Sequence, residues 1–517
     1  MASLGLTRRR LLIAAVWLGA ASAWGRVALD AWRERSSPPG FNPIVPENAQ
    51  AGSDQWQMVT QPQRRDVIGG VIEGGGDVQA AGPSRWDPPP ISGYADRTSV
   101  EPGGKLTFFV STTAPLFDVT ISRMGWYGGD GGRLLHQRFG LAGRNQPVPP
   151  PHPETGLVEA RWQPSFTLDV PADWVSGLYL VRLLATNNTH DVGYVVFVVR
   201  DDRQPADFVY KVAFNTYQAY NPFGGKSLYD FNSVGGRATK VSFDRPYDQW
   251  FGSGDFFNWD FPMIRWLERE GYNVTYISDV DAHADAAYLR GRRALLSVGH
   301  DEYWSREMRD AWERARDGGT SLAFFSGNIV YWQVRFEPSS TGAANRTMVC
   351  YKEAVRDPLY RSDDARVTVL WQSQFTNRPE NALAGVQSGH VVGFGVDLPY
   401  IVKAADHWLF AGTGAAPDQQ WSSVVGYEVD QVYDNGRSPD GLVILSETPV
   451  TDTLGRPGKA HSTYYRKGGM VFAAGTVNWA WGLDNSRGRN LVDPRIQRLT
   501  ANLLDAFKRG GPPPGAG

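Results

Sequence analysis

Residues 294–305 read ALLSVGHDEYWS, and this stretch sets the architecture of the C-terminal two-thirds of the chain. Ala294 to Val298 form an apolar run of strand length. His300, Asp301, Glu302 and Tyr303 follow at once. A helix then starts at Ser305, in SREMRDAWERARDGG, with Ser305 as N-cap and Gly318 as stop. TSLAFFSGN (320–328) reads as the next strand. Upstream, VYKVAFNTY is a strand leading into a polar, aromatic loop. FPMIRWLEREG is an amphipathic helix ending at Gly271, and YNVTYISD is a strand again. Strand and helix alternating at this spacing predict a parallel, doubly wound α/β sheet.

That frame explains why an apolar strand ends in ionisable side chains. Open α/β sheets bind ligands beyond the carboxyl ends of their strands. If the chain stays extended, His300 and Glu302 point the same way. The strand at 320–326 is joined by one right-handed crossover, so Asn328 should lie near His300. The first strand leads into Asn215, Tyr217, Tyr220 and Asn221. A competing reading makes Asp301 and Glu302 charges that favour a helix N-terminus. It accounts for Asp301 but not for His300 or the tyrosines.

Five short runs lie within residues 93–203: KLTFFVST, FDVTISRMGW, SFTLDV, GLYLVRLLAT and GYVVFVVR. Turn residues separate them. They predict an immunoglobulin-like β-sandwich. The fold class expected is therefore multidomain α+β, with this sandwich followed by an α/β domain over 204–510. Beyond about 340 the pattern breaks into further strands, RVTVLWQSQ, SSVVGYEVDQV, GLVILSETP and GGMVFAAGTVNWAWG, before a closing helix. Residues 24–92 are rich in Pro and Gly and read as a linker. Part of it should wrap a domain, because Trp56 and Trp86 need apolar cover. Residues 511–517 read as a disordered tail.

The chain has 517 residues, 42% of them hydrophobic, 21% charged and 12% aromatic, with 19 Trp. That fits a soluble protein of more than one core. A formal net charge of −2 gives no nucleic-acid signature. Residues 1–23 carry Thr7-Arg8-Arg9-Arg10-Leu11-Leu12, an apolar run, and Ala21-Ser22-Ala23 as a cleavage site. This pattern reads as a twin-arginine signal, so a periplasmic or extracellular location is expected. An ordinary secretory signal or an uncleaved anchor are the alternatives. No later apolar run is long enough to span a membrane. The single cysteine, Cys350, excludes an internal disulfide and is expected to be a small buried hydrophobe.

Several long stretches resemble the large (β) subunit family of N,N-dimethylformamidase. They are NTYQAYNPFGGKSLYDF, GDFFNWDFPMIRWLEREGYNVTYISDVD, VGHDEYWS, FFSGNIVYWQVRFE and GTVNWAWGLD, with ISRMGWYGGDGGRLL and SGLYLVRLL in the sandwich region. The resemblance runs from about residue 95 to about 505. It implies an immunoglobulin-like domain joined to an α/β domain resembling glutamine amidotransferases, without the amidotransferase cysteine. It also implies hydrolysis of an N-substituted formamide to formate and an amine, at a mononuclear iron held by two tyrosines and one glutamate. Carried over by motif, the metal-binding glutamate falls on Glu302, the site histidine on His300 and the site asparagine on Asn328. One tyrosine ligand falls on Tyr220, which has the family spacing, with Tyr217 as alternative. The other falls on Tyr179 in the sandwich region, and a further acidic site residue on Glu428.

The implied chemistry is coherent. Phenolate and carboxylate are hard anionic ligands suited to Fe3+. The iron would act as a Lewis acid, His300 or Glu428 would move the proton, and Asn328 would hydrogen-bond the developing oxyanion. The partners expected are a small-molecule amide and a small subunit as in the family enzyme. The export signal is not a feature associated with that enzyme. A carboxylate-based glycosidase and a non-catalytic envelope ligand-binding protein are the competing functions.

Overall fold

The computed structural model describes residues 41–57, 85–188, 191–248, 253–393 and 395–515. The expected signal at 1–23 and much of the 24–92 linker lie outside these residues. The chain is mixed α/β, with several sheets and few helices.

The central sheet has seven strands. Their order is Val274–Ser278, Phe208–Val212, Ala294–His300, Ser321–Gly327, Gly469–Ala473, Pro457–Lys467 and Val443–Thr451. The first five run parallel, as the alternation predicts. The last two are antiparallel, because a hairpin rather than a helical crossover joins them. Ala294–His300 is buried along its whole length, sandwiched by neighbours on both sides. Helix Arg306–Asp317 follows, with Ser305 Oγ accepting the Met308 N–H and Gly318 at the C-cap.

Two local expectations fail. The NTYQAYN segment is not a loop but a helix, Phe214–Tyr220. RVTVLWQSQ is not a strand: it has one isolated bridge, Leu370 to Trp332, and otherwise single hydrogen bonds such as Gln333 N–H to Val369 O. Val367 and Val369 instead pack in a small cluster with Ala354. Short alternation alone does not supply a pairing partner.

All five runs expected in the sandwich region form strands. A three-stranded and a five-stranded sheet share one core that includes Phe108, Ile121, Trp174, Tyr179, Val181 and Phe197. This region is joined by buried charge to the helix Phe261–Arg269, and through Tyr276 to the central sheet. Arg123 makes two 2.8 Å bonds to Glu268, and both side chains are wholly inaccessible. Tyr276 and Asn48 also donate to Glu268, at 2.8 and 2.7 Å. Asn48 belongs to residues 41–57, which wrap this junction with Ile44 buried. Trp56 packs edge-on to Phe261 at 4.9 Å, and Trp86 packs on Phe223 at 5.0 Å. Cys350 is buried, as expected. Among the described residues no helix is long and apolar enough to cross a membrane.

Candidate functional site

The site forms where the parallel strands end. In register, His300 pairs with Gly327, so Asn328 emerges directly beside it. Gly299 takes φ 68°, and a Cβ there would come within 2.4 Å of Trp259. Glycine thus lets Trp259 lie against the strand end, edge-on to the His300 ring at 6.0 Å. Trp259 sits in a π-helical segment, Phe256–Asp260, a distortion common at functional sites.

Glu302 is the hub. Its backbone N–H donates to Thr216 Oγ1 at 3.1 Å, which ties it to the helix Phe214–Tyr220. The Tyr220 hydroxyl donates to Glu302 Oε2 at 2.9 Å, and the Tyr229 hydroxyl to Oε1 at 2.7 Å. The two phenol rings stack, with centroids 4.3 Å apart. Tyr303 donates to the Tyr229 oxygen at 2.6 Å, and the Lys352 ammonium lies 3.5 Å from the Tyr229 ring centre. Tyr217 is directed elsewhere: with Tyr210 it binds the buried Asp260. Of the two candidate tyrosines in this helix, only Tyr220 reaches Glu302.

His300 stands between two carboxylates. Its Nε2 lies 2.9 Å from Glu428 Oε2 and 3.4 Å from Glu302 Oε2. The approach to Glu428 is close but off the direction of a good hydrogen bond, so the attraction is mainly ionic. Burial opposes protonation of His300, but the Glu428 carboxylate outweighs it and raises the imidazole to about 9. Burial pushes the Glu428 carboxyl up, yet the His300 charge and the Asn328 amide bring it below the usual range. Glu302 is shifted the other way, upward, by burial and by the nearby Glu428. The site therefore holds a His300–Glu428 ion pair beside a carboxylate that resists ionisation.

Behind the site, Lys211 links two buried aspartates, at 2.5 Å to Asp279 and 2.8 Å to Asp301. Asp301 also accepts from Ser297 and Trp304. It is a support for the turn that presents His300 and Glu302.

Four expected residues therefore gather around Glu302: His300, Asn328, Glu428 and Tyr220. Tyr179 does not join them. Its ring lies in the sandwich-region core, stacked on Trp174 at 4.7 Å, and its hydroxyl donates to the Val175 carbonyl at 2.8 Å. Strand alternation turns 179, 181 and 183 inward together. Sequence reading missed Tyr229, which supplies the second phenol from an irregular segment. Its only signal was its place within GGKSLYDF, fourteen residues beyond Asn215 in a motif already singled out.

The donor set can be judged against a metal. Two phenol oxygens converge on one carboxylate, and each hydrogen bond carries a proton that a cation could replace. Burial, reinforced by Glu302, pushes both phenols well above their ordinary range, so only a strong Lewis acid would displace those protons. Among the described residues no three His, Cys, Asp or Glu side chains form a metal cluster, and the oxygens available are phenols plus a carboxylate. That composition fits a hard cation such as Fe3+.

A family model described as N,N-dimethylformamidase beta subunit-like, C-terminal, matches residues 118–492. A curated relative, the N,N-dimethylformamidase beta subunit of Alcaligenes sp., is 24% identical over 447 residues. The match takes in 70% of this chain but only 56% of that relative. The match of the family model includes Glu302, both site tyrosines, His300, Asn328 and Glu428, and the chain belongs to the N,N-dimethylformamidase beta subunit-like, C-terminal family.

Proposed function

We propose that this protein is an exported, iron-dependent amidohydrolase acting on a small N-substituted amide. The observation that carries the reading is the convergence of Tyr220 and Tyr229 on Glu302, beside the His300–Glu428 pair. Tyr220, Tyr229 and Glu302 would hold a mononuclear Fe3+. When bound, the iron would supply Lewis acidity toward an amide carbonyl and toward a water molecule.

The chain's own residues supply the rest. Asn328 would give its side-chain amide as hydrogen-bond donor to the oxygen that gains charge as the carbonyl is attacked. His300 holds a proton that the departing amine nitrogen needs, and Glu428 keeps that proton in place. The aromatic walls, Trp259 stacked with Tyr427 at 6.1 Å and Tyr220 with Tyr229, suit a compact substrate with apolar N-substituents.

On this reading the segment at 93–203 is an immunoglobulin-like domain and 204–510 the α/β domain. The relative is named as a beta subunit, which supports a companion subunit here too. The twin-arginine pattern supports export of a folded, metal-loaded protein. The test is metal analysis of the purified protein together with formate release from N,N-dimethylformamide. One iron per chain and iron-dependent turnover are expected. Turnover that survives complete metal removal would overturn the reading.

A further inference from the structure

We propose that Asp430 is a positioning residue that sets the Asn328 side chain in the site. The inference rests on the reading of Asn328 as an oxyanion donor. Asn328 and Val330 both take left-handed backbone angles, φ 49° and 53°. Asn takes such angles more readily than most residues, but they are rare for a β-branched one such as Val330, so the turn as a whole needs support. They persist only where surrounding bonds hold them.

The bonds are visible. Asp430 Oδ1 accepts the Asn328 N–H at 2.7 Å. At the other end of the turn, the N–H of Val330 donates to Asp301 O, and those of Tyr331 and Trp332 donate to Glu302 O. The turn is clamped between Asp430 on one side and the Asp301 and Glu302 carbonyls on the other. The Asn328 side-chain oxygen is buried and has no hydrogen-bond partner of its own. The amide end of the same side chain faces Glu428, and the main chain held by Asp430 sets the position from which the carboxamide reaches it.

Asp430 is itself fixed. It is wholly buried, and its N–H donates to Gly475 O at 3.0 Å. Glu428 and Asp430 are two residues apart in the strand Glu428–Gln431, so their side chains leave it on the same face. Glu428 thus meets His300 while Asp430 meets Asn328. The strand can approach this closely because residue 327 is glycine: a Cβ there would lie 2.6 Å from Glu428 O. One short strand therefore places both the carboxylate that holds the His300 proton and the acceptor that shapes the oxyanion donor.

Asp430→Ala removes the acceptor, while Asp430→Asn keeps an oxygen that can take the same N–H. Crystal structures of both variants and kinetics on N,N-dimethylformamide test the inference. In Asp430→Ala the Asn328 φ should leave the left-handed region, and in Asp430→Asn it should remain. Asp430→Ala should lower kcat by roughly tenfold or more with KM little changed, and Asp430→Asn should recover most of the loss. In an Asn328→Ala background, adding Asp430→Ala should cost no further activity, because the side chain it positions is gone. Losses that multiply in the double variant would overturn the proposal. So would an unmoved Asn328 backbone in Asp430→Ala. Absence of amide turnover in the parent protein would instead remove the functional reading, and the backbone measurement would still decide the positioning role.

Discussion

The Tyr229 hydroxyl donates to Glu302 Oε1 at 2.7 Å across 73 residues of sequence, while Tyr220 holds the other oxygen of the same carboxylate. A buried carboxylate bound by two stacked phenols is costly unless every oxygen finds a partner. Here each does. A hard cation in place of the two phenolic protons would leave both phenol oxygens and the carboxylate with a partner.

Glu302→Gln should separate ligand from bystander. A neutral amide is a poor ligand for Fe3+, so iron content and activity should fall together. Asn328→Ala should keep the iron and slow turnover by roughly 100-fold or more. Iron analysis beside steady-state kinetics checks both. Full iron in Glu302→Gln, or iron loss in Asn328→Ala, would reverse the two roles.

The metal-free protein should show a basic His300. Its folded value, raised to about 9 from an ordinary 6.5, means the proton stays on through neutral pH. The sign for stability follows: the pair contributes fully below the unfolded value and is lost as pH rises through about 9. Imidazole NMR titration of the metal-free protein follows it. In Glu428→Gln burial should dominate, and the titration should move to lower pH. An unmoved titration would show that Glu428 is not the partner.

Glu268→Ala should destabilise the protein by about 3–5 kcal/mol, because it leaves the Arg123 guanidinium buried without its counter-charge. Denaturant unfolding measures this. A loss below about 1 kcal/mol, the value of an exposed pair, would mean that water reaches the junction.

Export depends on Arg8 and Arg9 in this account. Changing both to lysine should leave the precursor inside the cell, as cell fractionation would show. Continued export of the double variant through the route for unfolded chains would refute the twin-arginine assignment.

Much of this was legible in the sequence, for local reasons. The run ALLSVGHDEYWS is a buried strand with a polar end, and parallel pairing then forces Gly327 opposite His300. Glu428 was readable from its motif, and its strand turns it toward His300. Tyr179 misled because a motif match says nothing about which face of a strand a side chain takes. Its own alternation, shared with Val181 and Leu183, already pointed inward. Tyr229 was hidden because it lies between turns, where periodicity carries no information. Lys211 and Asp430 read as ordinary strand residues. Only the convergence of distant segments shows what they hold.

The visible spectrum of the ferric protein reports on the two tyrosines themselves. Phenolate bound to Fe3+ transfers charge into half-filled metal orbitals and absorbs visible light, so the iron-loaded protein should be coloured. Tyr220→Phe and Tyr229→Phe keep the ring packing but remove a donor. Each should shift or weaken the band and lower iron affinity by roughly 100-fold or more. Tyr179→Phe, whose hydroxyl meets only a backbone carbonyl in the sandwich-region core, should leave the band unchanged. A colourless but iron-replete ferric protein would contradict the two-tyrosine site, as would a band that survives both Tyr220→Phe and Tyr229→Phe intact.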